Sequence, residues 1–198
     1  MHKKTERQAF NALIDLRIHG FIGVLSQLDS AARDALGVAA HMLVDCLSSG
    51  GTVFVCGNGG SAADAQHISG ELAGRFLRDR RALRCIALSV DSSVLTAVGN
   101  DYGFDQIFSR QVGAYVRPGD VLWCLSTSGN SPNLLEAARK AKSIGAAVLG
   151  FTGRGGGKLG PLCDVCFSVP AERSYDIQQV QQLAYHVLCE FVEKECCE

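Results

Sequence analysis

The chain opens on a long stretch in which apolar residues recur at helical spacing. Residues 5–48 read as helix, most plainly in AARDALGVAAHMLVDCLSS, where apolar side chains fall at i, i+3 and i+4. Asp29 and Ser30 offer N-caps for a second helix, and Gly50–Gly51 ends it. The pattern changes at residue 52. TVFVC (52–56) is a short β-branched run of the kind that forms a buried strand, and GNGGS leads from it into a helix predicted from about Ser61 to Phe76. RCIALS (84–89), VLWCLS (121–126), AVLGFT (147–152) and VCFSV (165–169) repeat the strand pattern. Helices are predicted between them: a short one capped by Asp91 and Ser92 that reaches Gly99, one over 104–116, and SPNLLEAARKAKSIG (131–145) with Pro132 near its first turn. A long helix over 175–195 closes the pattern.

Strands alternating with helices predict an α/β fold: a three-layer αβα sandwich with a parallel five-stranded sheet, plus N-terminal helices. Crossovers in such a sheet are right-handed. No internal repeat or low-complexity linker interrupts the chain, so residues 1–198 are expected to form a single domain with an N-terminal helical segment to about residue 50. The wide apolar faces of these first helices exceed what one small domain buries, which predicts an oligomer.

Composition narrows the function classes. With 47% hydrophobic and 20% charged residues, the chain has an ordinary globular balance. A net charge of -1 gives no global field for nucleic acid or an acidic membrane, so neither is expected as a partner. The basic run Arg75, Arg78, Arg80, Arg81 and Arg84 reads as a solvated helix end and turn. The start, MHKKTERQAF, lacks the apolar core of a signal peptide, and no apolar run approaches the ~20 residues of a membrane span. A cytoplasmic location follows as an expectation, and with it nine free thiols, several of them inside apolar runs. Cys163 and Cys166 form a lone CxxC without the second pair that a zinc knuckle needs.

Two loops carry unusual chemistry. Gly57-Asn58-Gly59-Gly60-Ser61 lies directly after one predicted strand, and Ser126-Thr127-Ser128-Gly129-Asn130-Ser131 directly after another. Ligands collect at the carboxyl ends of parallel strands. Glycines let a backbone approach a ligand closely, and the following helix start offers free N–H groups. Four hydroxyls in six residues can surround a phosphate without a Lys or Arg. Neither loop has the spacing of a nucleotide-triphosphate or dinucleotide fingerprint. Each taken alone is also compatible with an ordinary turn and N-cap.

His67 and Glu71 lie four apart, one turn along a helix that starts at the first loop. Gln178, Gln182 and His186 recur every four residues in the last helix. His, Glu and a Gln carbonyl are acceptable ligands for a borderline divalent ion such as Zn2+. By spacing alone, a surface hydrogen bond at His67–Glu71 and a helix interface at Gln178 and His186 stand beside that reading.

The runs GNGGSAADAQH, VLTAVGNDYGFDQIFSRQV, GDVLWCLSTSGNSPN and TGRGGGKL closely resemble the phosphoheptose isomerase family, from about residue 50 to the C-terminus. The resemblance implies the SIS (sugar isomerase) fold, a homotetramer and conversion of sedoheptulose 7-phosphate to D-glycero-D-manno-heptose 7-phosphate. That is the first step towards the ADP-heptose of lipopolysaccharide cores and some other glycans. It implies a metal site, one Zn2+ per subunit, at His67, Glu71, Gln178 and His186, with Glu71 and His186 also catalytic. It further implies substrate contacts from Asn58, Gly59, Gly60, Ser61, Glu71, Asn100, Asp101, Ser126, Thr127, Ser128, Ser131 and Gln178.

Two positions depart from the family pattern. Asp176 stands where Arg is common, and Gln181 where His is common. Two other functions stay open at this point. One is a non-catalytic relative that binds the bacterial replication initiator, which lacks the histidine corresponding to His186. The other is an isomerase of another sugar phosphate.

Overall fold

The computed structural model describes residues 2–197, with side chains from Glu6 onward. Its strands are β1 (Val53–Gly57), β2 (Cys85–Ala87), β3 (Val121–Ser126), β4 (Ala147–Thr152) and β5 (Val165–Ser168). All neighbouring strands are parallel, in the order β2-β1-β3-β4-β5. Helices α1 (His2–Leu25) and α2 (Ser30–Ser48) precede the sheet. The remaining helices are α3 (Gly60–Ala73), α4 (Ser92–Tyr102), α5 (Ile107–Tyr115), α6 (Pro132–Ile144) and α7 (Ser174–Cys196). This strand order reverses direction between β1 and β3. Their carboxyl ends therefore flank a topological switch point, where a doubly wound sheet opens a crevice.

The predicted sandwich is present, and alternation along the strands explains it. Val55, Trp123, Leu149 and Phe151 face a core shared with α2, α3 and α7, through Leu43, Ile68 and Val180. Phe54, Cys56, Leu122, Cys124 and Val148 face the opposite core under α5 and α6, through Phe108, Leu134 and Ala138. Both faces of the central strands β1, β3 and β4 are covered, so these strands are apolar up to their carboxyl ends, whereas Ile86 of edge strand β2 is exposed. Full burial of a side chain such as Phe151 contributes roughly 1.5–3 kcal/mol. All nine cysteines are free.

Strands β3 and β4 have the predicted bounds. Asp29 caps α2 by accepting from the Ala32 N–H at 2.8 Å. The region predicted as helix over 104–116 divides into a 3-10 turn, Phe104–Gln106, and α5. The edge strand β2, which pairs only with β1, is shorter than predicted.

Helix α3 ends at Ala73, before the predicted Phe76. Arg80 accounts for that end. Its guanidinium donates to the carbonyls of Glu71, Leu72 and Gly74 at 2.7, 2.8 and 2.9 Å. It thus satisfies acceptors that a helix terminus leaves open. Reading the basic run as wholly solvated is therefore corrected at Arg80, whose side chain is only 3% exposed. Arg75, Arg78, Arg81 and Arg84 are exposed.

Helix α1 leaves Phe10, Leu13, Ile14, Leu16 and Ile18 exposed, while Phe21 and Val24 pack on the core. Among the described residues, no single helix is long and apolar enough to cross a membrane.

Candidate active site

Helices α3 and α7 lie side by side and build one corner of the site. His67 and Glu71 project from the same face of α3, and His67 Nε2 lies 2.9 Å from Glu71 Oε1. His186 reaches them from α7, its ring centroid 5.0 Å from that of His67. One potential ligand atom from each of His67, Glu71 and His186 falls within 4.8 Å of the others. Two imidazoles and a carboxylate at such separations fit a divalent ion with a coordination position left for substrate. Burial lowers the His186 pKa below its ordinary value, and neighbouring His67 pushes the same way. Both favour the neutral imidazole that a metal binds.

A buried ion pair supports this corner. The side chains of Arg80 and Glu193 are 3% and 2% exposed, and Arg80 Nε lies 3.1 Å from Glu193 Oε1. The Glu193 carboxylate also accepts from the backbone N–H groups of Phe76, Leu77 and Arg78 at 3.0, 2.8 and 3.0 Å. Burial raises its pKa, but these three donors and Arg80 outweigh burial and hold it below the usual carboxylate value. The loop after α3 is thereby fixed. Its Phe76 ring stacks on His186, with centroids 5.7 Å apart and planes at 18°.

Tyr185 adds a further link. It is fully buried, and its hydroxyl lies 2.9 Å from His67 Nδ1 and donates to Asp64 Oδ1 at 3.4 Å. Burial pushes the phenol up, and Asp64 adds to that shift, so it remains an O–H donor. Burial also raises Asp64, against the opposing effect of the Tyr185 hydrogen bond.

The second part of the site lies at the switch point. A cavity of about 220 Å³ is lined by Asn58, Ser61, Ser126, Thr127, Ser131, Ser174 and Gln178, among others. The hydroxyl loop is braced by its own hydrogen bonds. Ser126 Oγ accepts from Gly129 N–H at 3.1 Å, and Ser128 Oγ accepts from Asn130 N–H at 3.1 Å. Gly129 has φ +63°, and a Cβ there would lie 2.2 Å from the Gly156 carbonyl oxygen. Only glycine fits between these two loops. Asn58 and Asn133 exchange amide hydrogen bonds, both 2.9 Å, and tie the loop after β1 to the first turn of α6.

The sequence-predicted residues divide in their placement. His67, Glu71 and His186 meet at the corner. Asn58, Ser61, Ser126, Thr127, Ser131 and Gln178 line the cavity. Gln178 turns its amide toward Gly60, where a Cβ would lie 2.5 Å from its Nε2. Gly59 and Ser128 are exposed at the loop tips. Asn100 and Asp101 are exposed on α4 and hydrogen-bonded to each other at 2.7 Å.

The departure at Asp176 has a local role. Its carboxylate is buried and accepts from Arg173 Nε at 2.8 Å, at the start of α7. The buried Gln181 donates to the Thr152 carbonyl at 3.4 Å. Sequence reasoning missed Asp64, Phe76, Asn133, Tyr185 and the Arg80–Glu193 pair. The Asp64–His67 spacing of three on one helix face is the one local signal that could have revealed any of them.

Comparison with known proteins agrees with this architecture. Residues 18–153 match the SIS domain family. A phosphoheptose isomerase of Rhodospirillum rubrum is 53% identical over 163 residues, covering 82% of this chain and 87% of that protein. One from Helicobacter hepaticus is 51% identical, covering 83% and 84% of the two chains. The solved phosphoheptose isomerase of Neisseria gonorrhoeae superposes with a TM-score of 0.88 at 38% identity, over 93% of this chain and 99% of that one. This chain belongs to the phosphoheptose isomerase family of SIS-domain proteins.

Proposed function

We propose that this chain is an aldose–ketose isomerase that converts sedoheptulose 7-phosphate to D-glycero-D-manno-heptose 7-phosphate. The observation that carries this assignment is the meeting of His67, Glu71 and His186 at one corner, in a chain 53% identical over 163 residues to the Rhodospirillum rubrum family member. The product feeds ADP-heptose synthesis for lipopolysaccharide cores. The reaction belongs in the cytoplasm, where charged sugar phosphates are retained.

The chemistry moves one proton between adjacent carbons and shifts the carbonyl. Glu71 takes the proton from C1 of the open-chain ketose, and the electron pair moves into the C1–C2 bond to give an enediolate. His186, as the partner acid, serves proton transfer between the two sugar oxygens as C2 is reprotonated and the C1 aldehyde forms. His67, Glu71 and His186, with Gln178 as a further ligand, would hold one Zn2+ per subunit, which would supply Lewis-acid polarisation of the carbonyl.

Ser126, Thr127, Ser128 and Ser131, with the N–H groups opening α6, grip the phosphate at the far end of the sugar. That binding energy holds C1 and C2 against Glu71. Asn58, Gly59, Gly60 and Ser61 contact the sugar, and Asn100 and Asp101 contribute from α4. The exposed apolar side chains of α1 support assembly as a homotetramer.

Glu71→Gln and His186→Asn are each expected to lower turnover on sedoheptulose 7-phosphate by ~100-fold or more. Near-normal turnover by either folded variant removes that residue from the mechanism.

A further inference from the structure

A metal ligand of the imidazole type must present a lone pair on one nitrogen, and the hydrogen bond at its other nitrogen decides which one. At His67 those two nitrogens meet different surroundings. Nε2 faces the Glu71 carboxylate at 2.9 Å, and Nδ1 faces the Tyr185 hydroxyl at 2.9 Å. Tyr185 donates in turn to Asp64. If Nε2 is to bind an ion beside Glu71, the proton of the neutral ring must sit on Nδ1, where the Tyr185 hydroxyl at 2.9 Å can accept it while giving its own proton to Asp64. The Nε2 lone pair then points toward a carboxylate oxygen. A shared divalent ion is what makes a lone pair beside a carboxylate oxygen favourable there.

We propose that Asp64 and Tyr185 are positioning residues which hold His67 in the Nδ1–H tautomer and so aim Nε2 at a divalent ion shared with Glu71 and His186. This rests on the metal reading of that corner. The device spans two adjacent helices. Asp64 lies three residues before His67 on α3, and Tyr185 immediately precedes His186 on α7. Placement of Asp64, Tyr185 and both imidazoles is therefore coupled through the α3–α7 packing. Tyr185 also has its ring edge-on to His67, with centroids 5.5 Å apart, which resists rotation of the imidazole.

The test uses Zn2+ alone as the probe. Its affinity for the intact protein is measured by competition with a chromophoric chelator, for wild type, Tyr185→Phe, Asp64→Ala and the double variant. Tyr185→Phe keeps the buried ring and removes only the hydroxyl. Each single variant is expected to bind Zn2+ ~10–100-fold more weakly. Because the two groups act in series, the double variant is expected to match the weaker single variant instead of multiplying the losses. Melting of the zinc-free proteins checks folding. If Tyr185→Phe does not fold, Asp64→Ala carries the test alone, since Asp64 is only partly buried. Wild-type affinity in the folded single variants overturns the inference while leaving the metal site intact. Multiplicative losses in the double variant also overturn it, because they show independent effects. A wild-type protein that binds no Zn2+ removes the metal site and this inference together.

Discussion

The α3–α7 corner and the β1/β3 crevice are built from opposite materials. The corner gathers ionisable groups: His67, Glu71, His186, Asp64 and, behind them, the buried Arg80–Glu193 pair. The crevice is neutral, made of hydroxyls, glycine backbone and the Asn58–Asn133 amide pair. The difference matches the two tasks. Proton movement and metal binding need groups whose charge the surroundings can tune. Gripping a phosphate needs preorganised donors, and helix N–H groups with fixed hydroxyls provide them. The corner is consequently the part more sensitive to pH and to loss of a single charge.

The strongest way to break the contrast is to remove Glu193. Glu193→Gln leaves Arg80 buried without its counter-charge, which costs about 3–5 kcal/mol. The loop at Phe76 then loosens, and the corner fails while the crevice keeps its hydroxyls. Denaturant unfolding measures the loss. The acid limb of stability gives a second reading. Glu193 is held below its ordinary 4.5 in the folded chain, so its contribution is complete above about pH 4.5. It disappears as pH falls through the depressed folded value, and stability measured in Glu193→Gln should lose that limb.

A smaller effect sharpens the other side. Asn133→Ala removes the amide link between the loop after β1 and the first turn of α6 and leaves Asn58 with unpaired groups. About 1–3 kcal/mol of stability is expected to go. KM for the sugar phosphate should rise while Zn2+ affinity stays unchanged. An altered Zn2+ affinity with normal KM would show that the two regions are not separable in this way.

Legibility in the sequence followed the same division. The sheet was readable because strands buried on both faces are continuous apolar runs, as in VLWCLS and AVLGFT. His67 and Glu71 were visible because helix geometry is local: four residues make one turn. His186 belongs to another helix, and only resemblance joined it to them. Arg80 and Glu193 are 113 residues apart, and their pairing depends on how α7 crosses the loop after α3. The basic run concealed Arg80 because its neighbours are ordinary surface cations. Asn133 was hidden for a different reason, since Asn near a helix start has an innocent capping explanation. Asn100 and Asp101, drawn from a family motif, lie exposed on α4, where local pattern gives no reason to look for a site.

The decisive measurement is isomerase activity on sedoheptulose 7-phosphate with the protein as purified, after chelation, and after readdition of Zn2+. The account predicts that chelated protein stays folded, loses turnover and regains it with Zn2+. Full turnover by metal-free protein would contradict the role assigned to the corner of His67, Glu71 and His186.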